Sequence, residues 1–133
     1  MESLLPLLLL ISITSVIGLT LRAKKGFIKK RSRLKISEGE FGGKYGSRLT
    51  ILQFSTTFCS ECRTAKAIVK DVVKDLKDIA YIEVDAESSL ELVRRVDIRS
   101  TPTTIFLDSK GFEIARAKGA PKRDQLIKAI KAI

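Results

Sequence analysis

From Leu4 to Leu21 the chain carries no charged side chain. As an α-helix these 18 positions would span about 27 Å, close to the hydrocarbon thickness of a bilayer. Pro6 falls in the first turn, where its missing N–H costs little. The hydroxyls of Ser12, Thr14, Ser15 and Thr20 can bond back to helix carbonyls. Three readings compete for such a segment. A buried soluble helix of this length and neutrality would be unusual in so small a domain. A cleaved signal peptide needs a basic leader and a small-residue cleavage site, but Glu2 precedes the run and the basic residues follow it. The expectation is therefore a single transmembrane anchor over residues 1–21.

The charge supports that reading and orients it. The net charge is +10, from 25 basic and 15 acidic side chains. Eight of the basic ones (Arg22, Lys24, Lys25, Lys29, Lys30, Arg31, Arg33, Lys35) lie within Arg22–Lys35, which has no acid. Beyond residue 35, 17 basic and 14 acidic residues are close to balance. The excess is thus one cluster against the apolar run. Basic residues stay on the cytoplasmic side, so the soluble part is expected there, with the cluster touching anionic headgroups. Nucleic-acid binding is not expected, because the cluster has one aromatic, Phe27, and no recognisable binding module.

Residues 22–48 read as a polybasic and Gly-rich linker, with Gly39, Gly42, Gly43 and Gly46 in its second half. Residues 49–133 then read as one domain. Leu49–Phe54 is a short apolar run that suits a buried strand. From Arg63 to Ile79 the apolar side chains recur at helical spacing. Ala80–Asp85 reads as a second strand, and Ser88–Glu91 offers a capping box for a short helix. Thr103–Asp108 reads as a third strand, joined by an Asp108–Gly111 turn to a fourth at Phe112–Ala117. Asp124–Ile133 is a last amphipathic helix. The order is β-α-β-α-β-β-α, an α/β fold with a mixed four-stranded sheet between helices. Helix-separated strands imply parallel crossovers, and the hairpin adds an antiparallel edge.

The chain has no His, which removes Ser-His and Cys-His catalysis within one chain. It has two cysteines, in Cys59-Ser60-Glu61-Cys62, between the first strand and its helix. A helix N-terminus offers free N–H groups and partial positive charge, which stabilise a thiolate at Cys59. A thiolate is the attacking species in disulfide exchange. Cys59, nearer the end, is expected to attack, and Cys62, a turn inside, to resolve. An inert disulfide is less expected in the cytoplasm, and two thiolates make an incomplete metal site. Haem attachment needs His where Arg63 stands.

With these residues in place, the chain resembles the thioredoxin family from about Leu49 onward. The likeness rests on Gln53-Phe54 to Phe58-Cys59-Ser60-Glu61-Cys62-Arg63, Val84-Asp85, Ile98 to Thr103, and the Lys110-Gly111 and Gly119-Ala120 turns. It implies a cis Thr101–Pro102 bond and a substrate-peptide groove formed with Phe58, Thr101 and Pro102. It further implies dithiol–disulfide exchange with protein disulfides, electrons from a reductase or donor protein, and no bound organic cofactor.

Three departures from the family pattern stand out. Phe58 replaces a Trp. Ser60-Glu61 replaces Gly-Pro, so Glu61 is expected to raise the Cys59 pKa while Arg63 opposes it. Gln53 replaces a buried acid and cannot take a proton from Cys62. The expectation is a membrane-anchored thiol–disulfide oxidoreductase. Its rivals are an extracytoplasmic one, and a non-catalytic adaptor or metal-handling module on the same fold.

Overall fold

The computed structural model describes residues 4–23, 28–30 and 34–133. Of the basic cluster, Lys24, Lys25, Arg31 and Arg33 lie outside the described residues.

The apolar run forms one helix, α1 (Leu4–Ala23), with no buried residue. The hydroxyls of Ser12, Thr14 and Thr20 donate to carbonyls one turn back, at 2.7–3.0 Å. The remainder is built on a sheet in the order β1-β5-β4-β2-β3. Its strands are β1 (Ile28–Lys30), β2 (Leu49–Ser55), β3 (Ile79–Asp85), β4 (Thr103–Asp108) and β5 (Glu113–Lys118). The helices are α2 (Glu38–Phe41), α3 (Ser60–Val73), α4 (Leu90–Arg95) and α5 (Arg123–Lys131).

The period-2 alternation of β2 splits the core in two. Leu49 and Ile51 face α3 and α5, joining Val69, Phe106, Leu126 and Ile130. Leu52 and Phe54 face the other way, joining Ile36, Phe41, Leu92, Val96, Ile105 and Leu107. Because β2 is buried on both faces, it reads as a mostly apolar run whose polar residues are Thr50, Gln53 and Ser55.

The four expected strands are all present, with three differences around them. The crossover from β2 through α3 to β3 is parallel, but β4 runs antiparallel to β2. Phe54 pairs with both Val84 and Thr103, so the β3–β4 connection leaves and re-enters the sheet at the same end. Its helix has six residues and rises about 9 Å, too short to carry the chain back along a seven-residue strand. The apolar stripe also continues past the end of α3: Leu76 and Ile79 lie beyond it, and Ile79 already pairs with Leu49 in the sheet. Ser88 does not cap α4; its hydroxyl donates to the Asp85 carboxylate at 3.0 Å. The Ser-x-x-Glu pair that does start a helix is at α2. There the N–H and hydroxyl of Ser37 both donate to Glu40, at 2.7 and 2.8 Å.

The expected linker over 22–48 is the larger departure, for its second half is folded into the domain. Ile36 is fully buried and Phe41 is buried in the core under α4. Tyr45 donates its hydroxyl to the Ile36 carbonyl at 2.7 Å. The glycines serve packing rather than looseness. Gly42 ends α2 at φ +70, where a side chain would be strained. At Gly46 a Cβ would stand 2.1 Å from the Leu49 carbonyl oxygen. β1 adds a fifth strand, antiparallel to β5, with Ile28 opposite Ala117.

Candidate functional site

Cys59 is the N-cap of α3 in extended conformation, and its Sγ accepts the Cys62 N–H at 3.1 Å. Sulfur thus takes the place of the usual capping oxygen among the unpaired amides of the first turn. Cys59 and Cys62 form a disulfide, with Cα atoms 5.2 Å apart. Cys59 is half-buried and Cys62 is 4% exposed. Cys59, at the helix end, is therefore the more exposed of the two cysteines.

Phe58 is 97% exposed. It rims a groove of about 560 Å³ lined also by Leu21, Cys59, Glu61, Thr101 and Gly119. The Thr101–Pro102 bond is cis, as the resemblance implied. Pro102 is buried, and its carbonyl accepts the Gly119 N–H at 2.8 Å. The hydroxyls of Thr56 and Thr101 meet at 3.4 Å, joining the two loops that wall the groove. Glu61 belongs to the groove wall, whereas Arg63 is exposed outside it.

Gln53 is fully buried beneath the pair. Its amide nitrogen donates to the Cys62 carbonyl at 2.9 Å and to Ser55 Oγ at 3.0 Å. Its amide oxygen accepts from the Tyr81 hydroxyl at 2.9 Å. A carbonyl can only accept, so the bond to Cys62 sets which way the amide points. Burial, and secondarily the Glu83 charge, raise the Tyr81 pKa further above the ordinary phenol value, so that hydroxyl stays protonated. Gln53 and Tyr81 thus form a neutral, satisfied network that holds the Cys62 turn and offers no base. Sequence reasoning singled out Gln53 but missed Tyr81 and Ser55. The signal lay in register: Gln53 pairs with Glu83, and alternation puts Tyr81 on the same face.

The thioredoxin family model matches residues 35–132. The chain belongs to the thioredoxin family. Thioredoxin from Chlamydia trachomatis is 28% identical over 71% of this chain and 92% of its own length. Rice thioredoxin H5 is 32% identical over 58% of this chain, and the matched part spans 56% of that protein. Among solved structures, a thioredoxin-2 described as a component of malaria parasite protein secretion machinery superposes with a TM-score of 0.59. It is 26% identical, over 65% of this chain and 84% of that one. With both cysteines at the helix start, the chain carries the thiol–disulfide oxidoreductase site of that family.

Proposed function

We propose that this protein is a membrane-anchored thiol–disulfide oxidoreductase whose domain lies on the cytoplasmic side and acts on protein disulfides. The observation that carries the reading is the Cys59–Cys62 pair, with one sulfur reachable at a helix N-terminus and the other buried behind it. In the reduced protein the Cys59 thiolate attacks one sulfur of a partner disulfide, and the second partner sulfur leaves as a thiolate that takes a proton from water. Cys62 loses its proton to water and attacks Cys59 Sγ; the bond from Cys59 to the partner breaks, and the departing partner sulfur takes up a proton from water. The partner gains two electrons and two protons as a dithiol, and the chain is left with the disulfide seen here. A reductase or donor protein restores the dithiol. Helix α1, 20 residues long and about 30 Å as a helix, supports the anchor, and the basic flank after it supports the sidedness.

Reduced protein is expected to reduce insulin disulfides, and Cys62→Ser to accumulate mixed disulfides that Cys59→Ser does not form. A chain inert towards insulin would favour a non-catalytic adaptor, and the reverse trapping pattern would exchange the two roles. Sidedness is tested in intact cells with a membrane-impermeant thiol reagent after mild reduction. Cys59 is expected to stay unlabelled until the membrane is permeabilised.

A further inference from the structure

The chain enters the sheet at the end that carries the redox pair. Ile28 pairs with Ala117, and the next residue of β5, Lys118, pairs with Thr103, adjacent to the cis proline. Thr103 in turn pairs with Phe54, five residues before Cys59. Leu21, in the last turn of α1, lines the groove together with Phe58, Cys59 and Thr101. Five peptide steps separate Ala23 from Ile28, so the two are at most about 18 Å apart. The opposite end of the sheet, where Leu49 begins β2, is about 20 Å further away.

We propose that the redox groove faces the membrane surface, and that its partner is an integral membrane protein presenting a cysteine pair at headgroup level. This rests on the membrane-anchored reading given above. Size decides between partner classes. A folded soluble protein of 100 residues has a radius of gyration of about 13 Å, so it is too thick for the gap the short connection leaves. A loop of a membrane-embedded protein fits it. The exposed Phe58 ring, which lines the same groove as Leu21, gives such a loop an apolar contact next to Cys59. The exchange is the one already written: two electrons pass from the Cys59–Cys62 dithiol to the partner's disulfide, or back along the same path.

The full chain is reconstituted in vesicles containing a lipid with a nickel-chelating headgroup. A nitroxide is placed on Cys59 of Cys62→Ser, or on position 47 of Ser47→Cys in a Cys59→Ser/Cys62→Ser background. Ser47 is exposed at the far end of the sheet. The headgroup nickel is expected to relax the label at 59 several-fold more than the label at 47. Equal or reversed relaxation in protein that floats with the vesicles overturns the orientation while leaving the anchor standing. Protein that does not float overturns the anchor and this inference with it. The partner class is read with a transmembrane peptide that carries a cystine at the interface. A Gly-Ser insertion of about 20 residues after Lys25, with a reach of roughly 25 Å, is expected to slow reduction of that peptide several-fold and to speed reduction of soluble insulin. Unchanged rates for both substrates overturn the membrane partner.

Discussion

Gln53 occupies an interior position where a charge would change both the chemistry and the stability of the site. Its amide satisfies the Cys62 carbonyl, Ser55 and Tyr81 at once. Gln53→Glu keeps the shape but cannot donate to the Cys62 carbonyl while ionised. Burial without that bond raises a carboxyl's folded pKa above its unfolded value, so the penalty is small in acid and grows as pH rises through the ordinary Glu range. Urea unfolding at neutral pH is expected to show a loss of roughly 1–3 kcal/mol relative to wild type, shrinking as the pH is lowered. A loss independent of pH would mean that the glutamate ionises in the folded state with the same pKa as in the unfolded chain, so that burial at this site costs its charge nothing. Phe58 is the contrasting residue. Because its ring is almost wholly exposed, Phe58→Ala is expected to leave stability within about 0.5 kcal/mol and to raise the KM for protein disulfides.

At the scale of elements, the feature absent from the sequence reading is a buried ion pair. Glu113 and Arg116 are three apart in a strand and would ordinarily face opposite ways. Leu107 pairs with Glu113 and Phe106 with Ala115, so Ile114 is the extra residue of a β-bulge, and both charged side chains turn to the α4 face. Arg116 makes two bonds to Glu113, at 2.6 and 2.8 Å, and a third to the Val96 carbonyl at the end of α4. Removing one partner leaves the other buried and unpaired, so Glu113→Gln is expected to cost about 3–5 kcal/mol in a denaturant melt. Replacing both with apolar residues of similar volume is expected to cost far less.

The α2 segment gives a pH signature. Hydrogen bonds from the Tyr45 N–H and Lys44 hold Glu38 below the ordinary carboxylate range. At Glu40 burial works the other way, but Ser37 and Arg95 outweigh it and lower the pKa too. Carboxyls with lowered folded pKa values contribute stability that is complete above about pH 4–5 and lost as the pH falls through those values. Amides of residues 38–45 are accordingly expected to lose hydrogen-exchange protection in acid before those of β2. What periodicity could reveal was legible: β2, the α3 stripe, the β4–β5 hairpin and the two cysteines at a helix start. The bulge, the antiparallel entry of β4 and the Gln53–Tyr81 bond depend on register between distant strands, which no local pattern carries.

For the whole molecule, the question is where the folding unit begins. Composition separates a Gly-rich stretch from the apolar strand at Leu49, so a boundary there is the natural expectation. Packing disagrees, because Ile36 and Phe41 sit in the same cluster as Leu52, Phe54 and Leu107. Fully burying side chains of this kind contributes about 1.5–3 kcal/mol each, against a total of roughly 5–15 kcal/mol for a domain. A chain beginning at residue 49 would lose both, and the Tyr45 and Glu40 bonds with them. It is expected to be unfolded, or to melt far below the full chain. Helix α1 stands on the other side of the argument. None of its residues is buried, so its removal takes nothing from either core. A chain of residues 28–133 is expected to stay in solution without detergent, melt within a few degrees of the detergent-held full chain and reduce insulin at least as fast as it does. If that chain unfolded while the full one stayed folded, α1 would be part of the domain's core, and both the anchor reading and the two-part organisation would fall.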